Sequence, residues 1–176
     1  MHLSSMKYMI NIMVLIGFLN MPALAQPDTK KISLVNENIE ITLPQTYFVN
    51  KDSETGAVKI YPDVKQNPGT FLSYRIEKDS ITDNEIPAFT DKLLQTLKSG
   101  YHKFTYIDDG IYLQDGKNIS YIKFSSKKNG KKIFHFVFFI SLADQPVIFD
   151  FSCPYKERTK WETEIESIAN STRLRT

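Results

Sequence analysis

The residues of this sequence that could carry out chemistry are few. There is one cysteine, Cys153, and three histidines, of which His102 and His135 lie in the body of the chain. A cysteine beside a histidine can act as a nucleophile with its base. However, the alternating apolar residues of 147–153 place Cys153 in step with buried side chains, whereas a reactive thiolate needs a polar, accessible setting. We therefore expect Cys153 and His135 to be core residues, and an envelope hydrolase that uses them is the alternative.

The spacing of the other polar residues does not match familiar catalytic patterns. No two histidines have the spacing of a zinc-binding helix, and no Gly-x-Ser-x-Gly segment supplies a hydrolase nucleophile turn. His102 follows a predicted helix end and is interpreted as a loop or edge residue. We predict that the chain is not an enzyme and that it needs no cofactor.

Three aspartates within eight positions, Asp108, Asp109 and Asp115, are the candidates for a metal site. Calcium prefers clustered oxygen ligands, but the segment lacks the ligand rhythm and distal glutamate of an EF-hand. Two of these aspartates precede glycines, which is typical of tight hairpin turns. We therefore interpret them as turn residues and predict no metal site.

Two groups of residues could form a surface that binds a partner. Tyrosines on a sheet face serve either a core or a binding surface. Lysines that flank the Asn129-Gly130 turn could contact an acidic protein or an anionic headgroup, or could simply keep a hairpin tip solvated. The candidates are Tyr106, Tyr112, Tyr121, Lys127, Lys128 and Lys131.

The first 25 residues have the composition of a secretory signal peptide. Lys7 supplies a positive charge, residues 8–19 are mostly apolar, and Ala23-Leu24-Ala25 predicts cleavage after Ala25. A membrane anchor and a buried first helix are the alternatives, but the apolar stretch is interrupted and is shorter than the roughly 20 residues that span a bilayer. We predict a soluble periplasmic protein, or a secreted one, without a stable membrane anchor.

The remaining chain, residues 26–176, has the composition of a single globular domain. Its 151 residues carry 21 lysines and arginines against 20 acidic residues, because only Lys7 is lost with the leader. Such a balance gives no overall field for nucleic-acid binding, and the length suits one core. We predict one domain with no nucleic-acid partner.

The hydrophobic pattern predicts strands, a helix, a meander and a final helix. Segments 31–35, 38–43, 58–61 and 70–77 are predicted strands, and a four-residue apolar spacing predicts a helix that ends at Gly100. Asp109-Gly110, Asp115-Gly116 and Asn129-Gly130 are predicted hairpin turns. The run 133–140 is apolar on both faces, which indicates a central, doubly covered strand.

A second helix, from about Tyr155 to about Ser171, carries Trp161 on its apolar stripe. The predicted fold class is α+β, with an antiparallel sheet of about six to eight strands packed against two main helices.

The order of these elements, with Phe149-Asp150-Phe151-Ser152-Cys153-Pro154 followed by the Trp161 helix, resembles the PsbP-like superfamily. That superfamily includes the photosystem extrinsic protein, Mog proteins and DcrB-type envelope proteins. The resemblance implies a PsbP-like α/β sandwich and a non-enzymatic binding or accessory role, with no catalytic motif to carry over. We therefore expect a protein partner, for example a secreted toxin neutralised by an immunity protein, and a small-ligand or lipid carrier is the alternative.

Overall fold

The computed structural model describes residues 28–53, 56–63, 65 and 69–175. The predicted signal peptide and its cleavage point lie outside these residues. In chain order the strands are β1 Thr29–Leu34, β2 Ile39–Pro44, β3 Phe48–Lys51, β4 Val58–Tyr61, β5 Phe71–Ile76, β6 Thr105–Gln114, β7 Lys117–Lys128, β8 Lys131–Leu142, β9 Gln145–Pro154 and β10 Arg173–Leu174. The helices are α1 Ile86–Gly100 and α2 Arg158–Asn170, and a short 3-10 turn precedes each.

These strands form two antiparallel sheets. The large sheet has seven strands in the order β3-β4-β5-β9-β8-β7-β6, and the small sheet has three in the order β1-β2-β10. Helix α1 packs on one face of the large sheet, while α2 and the small sheet pack on the other. The predicted α+β class, with an antiparallel sheet against two main helices, is confirmed.

Strand β8 is buried on both faces, as the run 133–140 predicts. Phe134, Phe136 and Phe138 belong to the cluster under α2 and the small sheet, whereas Val137 and Phe139 belong to the cluster under α1. Because side chains alternate along a strand, the two clusters lie on opposite faces of one sheet. The strand therefore holds the layers together.

The structure contains two short strands that the sequence pattern did not predict. All four residues of β3 are exposed, so its pattern carries no buried face. Strand β10 has two residues, which pair with Glu40 and Ile39 of β2. Neither segment has the apolar alternation from which strands are recognised. The large sheet has seven strands, within the predicted six to eight, and the separate three-stranded sheet brings the described residues to ten strands.

The predicted hairpin turn at Asp109-Gly110 is wrong, because β6 runs through it without reversing. Gly110 pairs with Tyr121 of β7, and a bulge lies between Tyr106 and Asp108. A Cβ atom at Gly110 would lie 2.7–2.9 Å from the hydroxyl and ring of Tyr121. The glycine makes room for a cross-strand ring. The turns at Asp115-Gly116 and Asn129-Gly130 are confirmed, each with positive φ at both residues.

The start of α1 depends on the predicted capping box. The Glu85 carboxylate accepts hydrogen bonds from the Thr82 backbone N–H and hydroxyl, each at 2.8 Å. Pro87 lies in the first turn of α1. Its missing backbone N–H costs nothing there, because the N–H groups of a first turn have no acceptor within the helix. Within the described residues, neither helix has the length and apolar character of a membrane span.

A buried lysine attaches α2 to the large sheet. The Lys123 side chain is 7% exposed and donates a hydrogen bond to Glu166, while its Nζ lies 3.2 Å from Glu162. Burial alone would raise the pKa of the Glu162 carboxyl, but hydrogen bonds from Arg158 and Lys123 lower it overall. The ammonium also lies 5.5 Å from the centre of the Phe136 ring. The ion pair is therefore part of the packing between the layers.

Replacing Gly110 with alanine should destabilise the fold by about 1–3 kcal/mol, because the added methyl would overpack the Tyr121 ring. That ring cannot yield easily, since it is stacked between Tyr112 and Phe136 at centroid distances of 4.8 and 5.5 Å. Gly100→Ala is the matched control, as its Cβ would meet nothing within 4 Å. Urea unfolding of both variants gives the comparison, and equal stabilities would contradict the packing argument.

Replacing Lys123 with methionine should cost about 1–3 kcal/mol at neutral pH, because Glu162 and Glu166 lose a buried cation. The Glu162 pKa is lowered in the folded state from the ordinary 4.5. Its contribution is therefore fully present above that value and is lost as pH falls through the folded pKa. The gap in unfolding free energy between wild type and Lys123→Met should accordingly shrink in acid. A gap that stays constant from pH 7 to pH 3 would exclude this assignment.

Candidate functional site

A cleft opens where α1 ends and leaves part of the large sheet uncovered. Its volume is ≈ 630 Å³, which lies within the range of roughly 300–1,000 Å³ that is usual for ligand sites. The helix end contributes Tyr101 and His102, the sheet contributes β5, β8 and β9, and the β7–β8 hairpin tip closes one side. Phe71 and Ile133 give the cleft apolar walls.

Three polar side chains form a hydrogen-bonded row on the floor of this cleft. The Ser126 Oγ lies 3.0 Å from His135 Nε2, and His135 Nδ1 lies 3.4 Å from Asp150 Oδ1. Ser126 and His135 are 4% and 7% exposed, so the row lies at the base of the opening. His135 is thus a satisfied histidine, but it faces a cleft rather than a closed core.

The pairing of strands brings the row together. His135 pairs with Phe124 of β7 and with Ser152 of β9. Ser126 lies two positions from Phe124, and Asp150 lies two positions from Ser152, so all these side chains share one face. Three neighbouring strands therefore each contribute one member of the row.

Tyr101 fixes the acidic end of the row. Its hydroxyl donates to Asp150 Oδ2 at 3.1 Å, and its ring meets His135 edge-on at a centroid distance of 4.7 Å. Burial, followed by the nearby Asp150 charge, raises the pKa of the Tyr101 hydroxyl, so the group stays protonated and donates. Phe124 stacks on the other side of the imidazole at 4.5 Å. The ring of His135 is held in one orientation.

Lysines surround the mouth of the cleft. Lys127, Lys128 and Lys131, all predicted as contact residues, line it together with Asn129. No carboxylate of the described residues lies within ion-pair distance of these three ammonium groups. Lys132 differs from them, because its ammonium lies 3.7 Å from the centre of the Tyr155 ring. The cleft therefore has a positive rim.

The tyrosine candidates do not line this cleft. Tyr112 and Tyr121 stack on each other under α2, where Tyr121 also donates a hydrogen bond to Asp108 at 3.3 Å. Tyr106 is 48% exposed and donates to Asp109. The structure therefore separates the predicted tyrosine group from the predicted lysine group.

The three candidate metal ligands have different partners. Asp108 lies 3.6 Å from the Lys123 ammonium, and Asp115 forms an ion pair of 3.1 Å with Arg173. Asp109 accepts the hydrogen bond from Tyr106. Across residues 28–53, 56–63, 65 and 69–175, no group of three or more acidic, histidine or cysteine side chains could hold a metal ion.

Cys153 is a buried core residue, as the alternation of apolar residues along its strand predicts. The side chain is fully buried and belongs to the cluster under α2 and the small sheet. Burial, with smaller contributions from Glu157 and Glu162, raises the pKa of the thiol to about 12. Cys153 and His135 also fall on opposite faces of the sheet, so they do not form the nucleophile–base pair of the alternative hypothesis.

Sequence reasoning missed Ser126, Asp150 and Tyr101 as site residues. A signal was present, because Asp150 and Ser152 occupy one face of a strand whose other face is apolar. His135 likewise interrupts an apolar run. Polar residues on the buried face of adjoining strands indicate a shared polar site once the strand order is known.

No protein-family model and no curated protein matches this chain. Solved structures do. Cyanobacterial PsbP (CyanoP) from Synechocystis sp. PCC 6803 aligns with a TM-score of 0.59 at 12% identity, covering 89% of this chain and 98% of CyanoP. LpqN of Mycobacterium tuberculosis aligns at 0.58 and 12% identity, covering 85% and 91%. PA94 of Pseudomonas aeruginosa aligns at 0.53 and 12% identity, covering 84% and 98%.

These alignments extend over most of this chain and most of each matched structure. At 12% identity they establish the fold and carry no residue roles. The resemblance read from the sequence is confirmed at this level: the chain has the PsbP-like fold.

Proposed function

We propose that this chain is an exported accessory protein of the cell envelope that acts by binding a protein partner. The cleft at the end of α1 is its docking site, and the partner presents an acidic segment to it. One observation carries the proposal: the apolar-walled cleft is rimmed by three lysines without a carboxylate partner among the described residues.

The charges around the cleft favour an anionic binding partner. Asp150 is the acidic residue of its lining, and that carboxylate already accepts a hydrogen bond from Tyr101 and lies beside His135. The positive charge of Lys127, Lys128 and Lys131 therefore remains available at the rim. Unpaired rim charges raise the rate at which an oppositely charged partner associates, and they select against basic partners.

The apolar walls of the cleft indicate that the partner carries apolar as well as acidic residues. Phe71 and Ile133 are half-buried, so each leaves apolar surface facing the opening. Burying such surface supplies most of the affinity in protein association, while surface charges contribute less. An acidic segment with an apolar side chain fits this division.

The envelope setting rests on two separate observations. The first 25 residues have the pattern of a signal peptide. In addition, LpqN, which shares the fold, is described as involved in cell envelope biogenesis. The shared fold supports the envelope compartment by analogy.

An immunity protein that neutralises a secreted toxin is one specific form of this proposal. A toxin partner and an envelope partner lead to different observations. A toxin-neutralising role predicts a toxin gene beside this one and protection of cells that produce the chain. An accessory role predicts a partner from the same cell.

A small-ligand or lipid carrier is the second candidate, favoured by a cleft volume of ≈ 630 Å³. That space is sufficient for a compact organic anion. Mass spectrometry of the native purified protein would detect such a ligand. A bound ligand in stoichiometric amount, with no protein partner, would replace the proposal by this alternative.

Removing the rim charge should weaken partner binding. We expect Lys128→Gln/Lys131→Gln to lower affinity several-fold to about tenfold, with most of the loss at low salt. Lys132→Gln is the control, because it lies in the same hairpin but its ammonium contacts Tyr155. Tagged protein is used to isolate the partner from periplasmic extract, and its affinity for each variant is then measured at two salt concentrations.

Two outcomes would contradict this prediction. One is an affinity that is unchanged in the double variant, which would show that the cleft rim is not the docking site. The other is an equal loss in Lys132→Gln, which would reduce the effect to net charge. A partner without an acidic segment at the contact would likewise contradict the proposed recognition.

A further inference from the structure

The polar row on the cleft floor places a serine, a histidine and an aspartate in hydrogen-bonded sequence, an arrangement that a binding surface does not require. A serine hydroxyl contacts one nitrogen of an imidazole at 3.0 Å, and a carboxylate faces the other nitrogen at 3.4 Å. This order is that of a hydroxyl nucleophile, its base and the group that orients the base. Such a constellation is recognised by geometry and not by sequence position, so the absence of a motif does not decide against it.

We propose that Ser126 is a nucleophile toward carboxylic esters with a short apolar acyl group. His135 is its general base, and Asp150 is a positioning residue that orients the imidazole. This inference goes beyond the proposed binding function and does not depend on the identity of the partner.

The reaction balances without any further reactant except water. The Ser126 Oγ forms a bond to the ester carbonyl carbon while its proton moves to His135 Nε2. The carbon–oxygen bond to the alcohol then breaks, and the alcohol leaves with the proton from His135. Water attacks the acyl-serine with His135 again accepting a proton, which releases the carboxylic acid and restores Ser126.

The environment of His135 suits the role of a base. Its ring is held between Phe124 and Tyr101 at centroid distances of 4.5 and 4.7 Å, so the imidazole cannot rotate freely. The Asp150 carboxylate is fixed in turn by the Tyr101 hydroxyl. Preorganised partners of this kind need no rearrangement when the proton moves.

The cleft also provides space for an acyl group and positive charge for the oxyanion. Ile133, the cross-strand partner of Ser126, lines it together with Phe71 of β5. Lys128 and Lys131 pair across the hairpin and lie two positions beyond Ser126 and Ile133, on the same face. Two residues along a strand are about 7 Å apart, so the long side chain of Lys128 can extend toward Ser126. A nearby ammonium stabilises the negative oxygen that develops at the carbonyl.

A fluorophosphonate probe tests the nucleophile directly, because it forms a stable serine–phosphorus bond with loss of fluoride. We expect the folded protein to acquire one adduct, assigned to Ser126 by peptide mass spectrometry. Ser126→Ala should abolish the adduct. Ser125→Ala is the matched control, because Ser125 is the adjacent serine on the opposite face and has no hydrogen-bond partner in the described structure. It should label as wild type does.

His135→Gln tests the role of His135 as the general base. The substitution should slow labelling by about 10²–10⁴-fold, because the Ser126 hydroxyl loses its proton acceptor. Hydrolysis of p-nitrophenyl butyrate should follow the same order of variants. Circular dichroism and thermal unfolding confirm that each variant is folded.

Three results would overturn the inference. The first is folded wild-type protein that neither labels nor hydrolyses the ester. The second is labelling that persists in Ser126→Ala, and the third is a His135→Gln variant that labels at an unchanged rate. Because these measurements need no partner, they can fail while the lysine-dependent binding succeeds, and the reverse also holds.

Discussion

The burial of one strand on both faces is the constraint on which the rest of the structure depends. Strand β8 has an unbroken run of buried residues from Phe134 to Ser141, with two hydrophobic clusters on its two sides. Each face must be covered, because exposing such apolar area costs roughly 25 cal/mol per Å². Helix α1 covers one face, and α2 with the small sheet covers the other. The layered architecture follows from that requirement.

The same burial explains why the polar side chains of the row are hydrogen-bonded to one another. A histidine in a doubly covered strand must find hydrogen-bond partners, since a buried polar group left unsatisfied costs about 1–3 kcal/mol. His135 finds Ser126 and Asp150 on the strands to either side, and Tyr101 from the helix end completes the network. These partners stabilise the sheet whether or not they carry chemistry. Reactivity depends in addition on Ser126 and on access to it from the cleft.

Much of the fold could be predicted from periodicity and turn chemistry. The doubly apolar β8, the capping box at Thr82 and the phase that buries Cys153 are all local patterns, and local patterns can be read from sequence. The hairpin turn predicted at Asp109-Gly110 was wrong, although the composition of the dipeptide suits a turn. Its glycine instead makes room for Tyr121, a residue on another strand. The candidate site escaped prediction for the same reason, since Ser126 and Asp150 meet His135 through strand order and register, which no single segment encodes.

The pairing pattern has a consequence for how the chain completes its fold. Strands β6 to β9 are consecutive hairpins and can form from contacts that are close in sequence. Strand β5, however, pairs with β9, and β2 pairs with the short β10 near the other end of the chain. During synthesis from the N-terminus, β2 and β5 therefore each keep one edge unpaired until β10 and β9 have been made. Such a delay is the interval in which a chaperone or an unwanted strand partner would compete for them.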